Sequence, residues 1–148
     1  MTWRRGTAFR VALCGHKAAE VAAVCMLLMV QGNIAAITGA HVAIASQTGV
    51  LSILPALVLT FTRHVHYLAN RWTSSLFIGA CGFAADALVH GSHYPGPYTE
   101  ALLTGIGTTA ASILVSYTPL GRRIERLAEP LIHQPPGKMT PGVFLRNS

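Results

Sequence analysis

Residues 21–62 form an unbroken run of 42 positions with no Asp, Glu, Lys or Arg. A soluble chain of only 148 residues would have to expose much of that run to water. Charged residues make up 11% of the sequence and apolar ones 51%, against about 25% charged in an ordinary soluble protein. Mean hydropathy is +0.46. This excludes a disordered chain, collagen and a coiled coil, and it places the protein in a membrane. The fold class expected is all-α and transmembrane.

A span needs roughly 20 mostly apolar residues to cross about 30 Å of hydrocarbon, so the uncharged run is too long for one helix. Thr38-Gly-Ala-His41 supplies its break. Four spans are expected, over about 18–37, 42–62, 72–90 and 100–118. The loop Gly91–Tyr98 holds two prolines and two glycines, which cannot continue a helix. This gives a basic segment 1–17, a transmembrane domain 18–119, a short amphipathic interfacial helix 120–129 and a Pro-rich, disordered, basic tail 130–148.

The basic residues test that count. Arg4, Arg5, Arg10 and Lys17 precede span one, and Arg63 and Arg71 flank the connection between spans two and three. Arg122, Arg123, Arg126, Lys138 and Arg146 follow span four. An even number of spans puts all eleven on one side, as the positive-inside rule requires, with both termini cytoplasmic. Trp3, Tyr67, Trp72, Tyr94, Tyr98 and Tyr117 fall near expected span ends, where amphipathic rings favour the interface.

Helices in lipid associate through close packing of small residues and through interhelical hydrogen bonds. Gly32 with Ala36, Ala45 with Gly49, and Gly105 and Gly107 in the span-four block Thr104–Ser112 are the candidate packing positions. They serve either one compact bundle or contacts between copies. Gln31 and Asn33 in span one and Gln47 in span two carry amides that hydrocarbon cannot satisfy. A local hydrogen bond between them across the 38–41 turn is the simplest expectation. Pro55 is expected to kink span two.

Asp86 is the acid expected inside a span, and an intramembrane ionisable residue is a functional candidate by default. His90, at i+4, shares its helix face. The pair reads either as an anchor for the helix end or as a proton relay. Glu20 and Glu100 are placed at span entrances. Most of the seven histidines read as interfacial, and the three scattered cysteines suggest neither a disulfide framework nor a zinc site. No cofactor or metal is expected. A Gly-rich phosphate loop, a nucleophile elbow and a His-Glu-x-x-His motif are all missing, so neither an enzyme nor a nucleic-acid partner is expected.

The stretch Asp86-Ala-Leu-Val-His-Gly-Ser-His-Tyr94, with Thr99-Glu-Ala-Leu-Leu-Thr-Gly105 and Tyr117-Thr-Pro-Leu-Gly-Arg122, resembles small bacteriophage membrane proteins of the holin kind. The resemblance implies a homo-oligomer in the bacterial host's inner membrane. It would open lesions through which an endolysin reaches the cell wall, with membrane lipids as its direct partners. Four spans depart from the two or three commonest in that group, and no residue-level site transfers. A small four-span transporter or an accessory subunit of a membrane complex fits the same span count. A haem-binding electron carrier is the remaining alternative.

Overall fold

The computed structural model describes residues 2–61, 70–93, 98–123 and 126. They are mainly helical, and four long helices follow in order: α1 (Thr2–Met29), α2 (Gly39–Phe61), α3 (Arg71–His93) and α4 (Thr99–Tyr117). Three of them contain stretches long and apolar enough to cross a membrane: Arg10–Met29, Gly39–Leu59 and Arg71–Gly91. The protein is therefore an all-helical, multi-span membrane protein. α4 has 19 residues and carries Glu100, three further threonines and two serines beyond its first residue.

The first helix departs from the expected 18–37 span and from a separate segment over 1–17. It is already helical at Thr2 and stops at Met29. The stop is a Schellman motif. Gln31 and Gly32 take positive φ (50° and 78°), the Gly32 N–H bonds the Leu27 carbonyl at 2.8 Å, and the Gln31 N–H bonds that of Leu28 at 3.0 Å. These two bonds cap carbonyls that would otherwise be orphaned at the helix end. A single 3-10 turn, Ile34–Ala36, leads into α2.

The other helices keep close to their expected bounds. α2 runs unbroken through Pro55. Helical residues 119–123 and 126 continue beyond α4. The rest of the expected 120–129 helix, the tail over 130–148 and Arg63 lie outside the described residues.

α1 packs on α2 and α4, and α3 packs on α2 and α4. Three glycines set how close the axes come. A Cβ at Gly49 would sit 2.6 Å from the Ala18 carbonyl oxygen. One at Gly79 would strike Thr109 Oγ1 and lie 2.7 Å from the Gly105 carbonyl oxygen, and one at Gly105 would lie 2.8 Å from Phe83 Cβ. Gly107 faces Val24 of α1, and Ala45 is buried. Gly32 and Ala36, by contrast, lie exposed beyond the end of α1. They cannot act as a helix-packing pair because the Schellman motif has already ended the helix.

The bundle is small and polar within, large and apolar without. Its buried apolar side chains are chiefly Ala, Val, Cys and Ile, while Leu27, Leu54, Leu76, Leu88, Leu103 and Leu114 face outward. Lipid tails are as apolar as leucine, so burying leucine gains nothing here, and close contact falls to small and hydrogen-bonding residues.

Candidate functional site: a polar seam through the bundle

Thr104, Thr108, Ser112 and Ser116 recur every fourth residue on α4, and all are buried. A four-residue step advances about 6 Å along a helix, so one hydroxyl is presented at each turn. Ser52 on α2 and Ser75 on α3 are buried beside the same interior. The Ser75 hydroxyl donates to Ser112 Oγ at 3.1 Å. Thr108 sits across from Gly82, one turn below Asp86. Its Oγ1 is buried with no hydrogen-bond partner among the described residues.

A charged group stands towards each end of the seam. Lys17 Nζ donates to Glu20 Oε2 at 2.8 Å and, across the bundle, to Ser112 Oγ at 2.8 Å. His16 Nε2 lies 3.0 Å from Glu20 Oε1, close enough for an ion pair when protonated but without hydrogen-bond alignment. Both charged residues fall near the middle of the Arg10–Met29 stretch. This corrects the placement of Glu20 at a span entrance. With α1 ending at Met29, the apolar stretch moves towards the N-terminus and carries Lys17 and Glu20 into it.

Asp86 occupies the other end and is completely buried. Its Oδ1 accepts from Cys25 Sγ at 3.2 Å on α1, from Thr48 Oγ1 at 3.2 Å on α2, and from His90 Nδ1 at 2.8 Å on its own helix. One carboxylate oxygen thus joins three helices. The second, Oδ2, is buried with no hydrogen-bond partner among the described residues. An unsatisfied charged oxygen in such a setting is costly, and charge-assisted bonds to the first oxygen offset only part of that cost.

His90 connects Asp86 to the surface. Its Nε2 lies 3.8 Å from Glu100 Oε2, in the first turn of α4, and Glu100 is 71% exposed. His90 and Glu100 line an open cleft of about 820 Å³ at the end of the bundle where α1 turns into α2. Thr38, His41 and Tyr98 border it as well. The His41 ring caps the start of α2, accepting from the Thr38 backbone N–H at 3.1 Å through Nδ1.

Of the residues singled out in the sequence, Asp86 and His90 meet, while Gln31, Asn33 and Gln47 do not. All three amides are exposed, and no hydrogen bond joins them to one another. Gln31 is held at the Schellman turn, and Gln47 faces outward from α2 beside Val50 and Leu51. At the opposite end Arg71 lies over the Tyr117 ring, 5.1 Å from its centroid, a cation–π contact. Arg122, Arg123 and Arg126 are exposed.

Sequence reading missed Cys25, Thr48 and the Lys17–Ser112 link. The i, i+4 spacing of hydroxyls on α4 was a visible signal for the seam, but nothing local marks Cys25 or Thr48. No three His, Cys, Asp or Glu side chains among the described residues are placed to hold a metal ion. The arrangement sets a carboxylate hydrogen-bonded to an imidazole, an ion pair and a file of hydroxyls inside the bundle. No family model matches the chain, and neither a curated protein nor a solved structure matches it.

Proposed function

We propose that this protein permeabilises a membrane in the manner of a holin, as a self-associating bundle whose polar seam is sealed in the single copy and becomes a wet wall when copies repack. The observation carrying this reading is the reversal of polarity. Thr48, Ser75, Asp86, Thr104, Thr108 and Ser112 are buried, while the outer surface is rich in Leu, Val and Ile. Polar backbone and side chains persist at membrane depth only inside protein or against a water-filled cavity. A seam of hydroxyls and charges suits both states.

Self-association is supported by Gln47, an exposed amide that shares its helix face with the exposed Val50, Leu54 and Val58. Lipid cannot satisfy that amide, and a second copy can. The proposed topology is four spans with both termini on the cytoplasmic side of a bacterial inner membrane. The length of α4, about 28 Å at 19 residues, supports it, as does the grouping of Arg71, Arg122 and Arg123 around the end of α4. The functional partner would be an endolysin that passes through the lesion without binding. Expression in bacteria should depolarise the inner membrane and release a co-expressed cytoplasmic endolysin. Growth at full membrane potential, with the protein present in the membrane, would overturn the reading.

A second reading, a small ion-coupled transporter, is favoured by one specific observation: two ionisable clusters, Lys17–Glu20 and Asp86–His90, lie within apolar spans. Such groups mark ion and proton pathways in transporters. Under this reading cells stay polarised, and Asp86→Asn abolishes substrate resistance or uptake.

A further inference from the structure

We propose that Asp86 is a proton-binding site loaded from the cleft through His90, with Glu100 as the proton collector at its mouth. Three observations converge on it. Asp86 is fully buried, yet its Oδ2 has no hydrogen-bond partner among the described residues, so a proton is the smallest ligand that removes the unpaired charge. The His90 ring spans the gap between the buried oxygen and the opening, with Nδ1 2.8 Å from Asp86 and Nε2 turned towards Glu100. The cleft of about 820 Å³ admits water to His90 and Glu100, whereas Asp86 does not line it.

The transfer balances without any further reactant. With Asp86 ionised, the neutral imidazole donates a hydrogen bond from its Nδ1–H to the carboxylate and leaves Nε2 as the acceptor on the cleft side. A proton arriving at Nε2 from cleft water, or from the Glu100 carboxyl, forms a transient imidazolium. That cation passes its Nδ1 proton to Oδ1, giving a neutral carboxylic acid and an imidazole protonated at Nε2. The ring then rests protonated at Nε2, with Nδ1 accepting from the Asp86 acid; unloading runs the same steps in reverse, Nδ1 taking the proton back from Oδ1 as Nε2 releases its own to the cleft. His is suited to this shuttle because its two nitrogens can hold and release protons near neutral pH.

The groups that face the site are few among the described residues. α1 contributes the Cys25 thiol and, farther along towards the other end, Lys17 and Glu20. α2 contributes the Thr48 hydroxyl and, at the cleft, His41. α4 contributes Glu100, with Tyr98 just before its start. None of these places a fixed positive charge within hydrogen-bond distance of Asp86, so protonation is the available means of neutralising it. Loading also changes the packing, because a protonated Asp86 accepts less strongly from Cys25 and Thr48 and loosens its tie to α1 and α2. This inference holds under either functional reading.

Asp86 is the only aspartate in the chain, so the site can be watched without mutation. Full-length protein labelled with [4-13C]aspartate, reconstituted in phosphatidylcholine nanodiscs, should show a single carboxyl signal whose position changes as the pH is varied. The isotope-shifted infrared band of a protonated carboxyl should rise as pH falls. After a pH jump, His90→Gln should slow the growth of that band about tenfold or more. Free imidazole, small enough for the cleft, should restore the rate, and Glu100→Gln should slow uptake less than His90→Gln does. A signal that does not move with pH while the protein stays folded would overturn the proton site. An uptake rate unchanged in His90→Gln would overturn the route.

Discussion

The two charged clusters of the seam solve the same problem in opposite ways. Lys17 and Glu20 pair with each other, and Lys17 also reaches Ser112, so at that end a full positive and a full negative charge cancel within hydrogen-bond distance. Asp86 has donors but no fixed countercharge among the described residues, and all its donors converge on one oxygen. The first cluster is an ion pair within α1 that reaches α4 through the Lys17–Ser112 hydrogen bond. The second is the one proposed to change state by taking up a proton. A buried pair is costly to break because removing one partner strands the other, whereas a lone carboxylate can neutralise itself by taking up a proton.

The largest expected effect comes from breaking the ion pair. Lys17→Met leaves Glu20 buried with only His16 nearby and should destabilise the bundle by about 3 kcal/mol, the low end for a broken buried pair. The double variant Lys17→Met/Glu20→Met should recover most of that loss. Thermal unfolding of purified protein in detergent, followed by circular dichroism, measures both. If the single and double variants lose the same stability, the two charges are not acting as a pair.

Next in size is the α3–α4 contact that holds the seam closed. Gly79→Leu drives a side chain into Thr109 and the Gly105 backbone and should cost roughly 1–3 kcal/mol, the usual penalty of overpacking. Gly107→Ala meets only the end of a Val24 side chain, which can shift, and should cost much less. Equal losses at the two positions, measured in the same unfolding assay, would remove the distinction between backbone and side-chain contact.

Asp86→Asn sharpens the comparison from the other cluster. It keeps an acceptor for Cys25 and Thr48 but removes the charge, so stability should change by only about 1 kcal/mol. A loss as large as that of Lys17→Met would mean that Asp86 is a structural charge rather than an exchangeable one. The smallest effect on folding belongs to Gln47→Leu, which should leave the unfolding temperature within error. Its expected effect is on self-association, by about 0.6–2 kcal/mol, read as a shift towards monomer in fluorescence energy transfer between labelled copies in vesicles.

Much of this molecule is legible in its linear order. The Gly-containing turn near residue 39 and the Pro/Gly loop after residue 91 locate the starts of α2 and α4. The i, i+4 spacing of Asp86 and His90 is enough to pair them, since such positions on one helix are neighbours whatever surrounds them. Hydropathy misplaces the end of α1, because apolar residues run on through Ile34–Ile37 and the left-handed pair at Gln31 and Gly32 leaves no mark on it. That one boundary moves Glu20 from the membrane edge to the middle of an apolar stretch, and so turns a residue expected at a span entrance into half of a part-buried ion pair.

By itself the sequence determined a membrane protein of long helices, small residues where helices touch, and one acid with a histidine a turn away. These are consequences of local composition and of the helical repeat, which act over a few residues. Only the tertiary structure decided which faces turn inward. It placed Thr48 and Cys25 on Asp86 and left Gln47 outside. It also joined Lys17 to Ser112, 95 residues later. Every helix here has small or polar residues on more than one side, so periodicity alone leaves its rotation open. The close approaches at Gly49, Gly79 and Gly105 set that rotation, and with it which polar atoms find partners and which, like Asp86 Oδ2, do not.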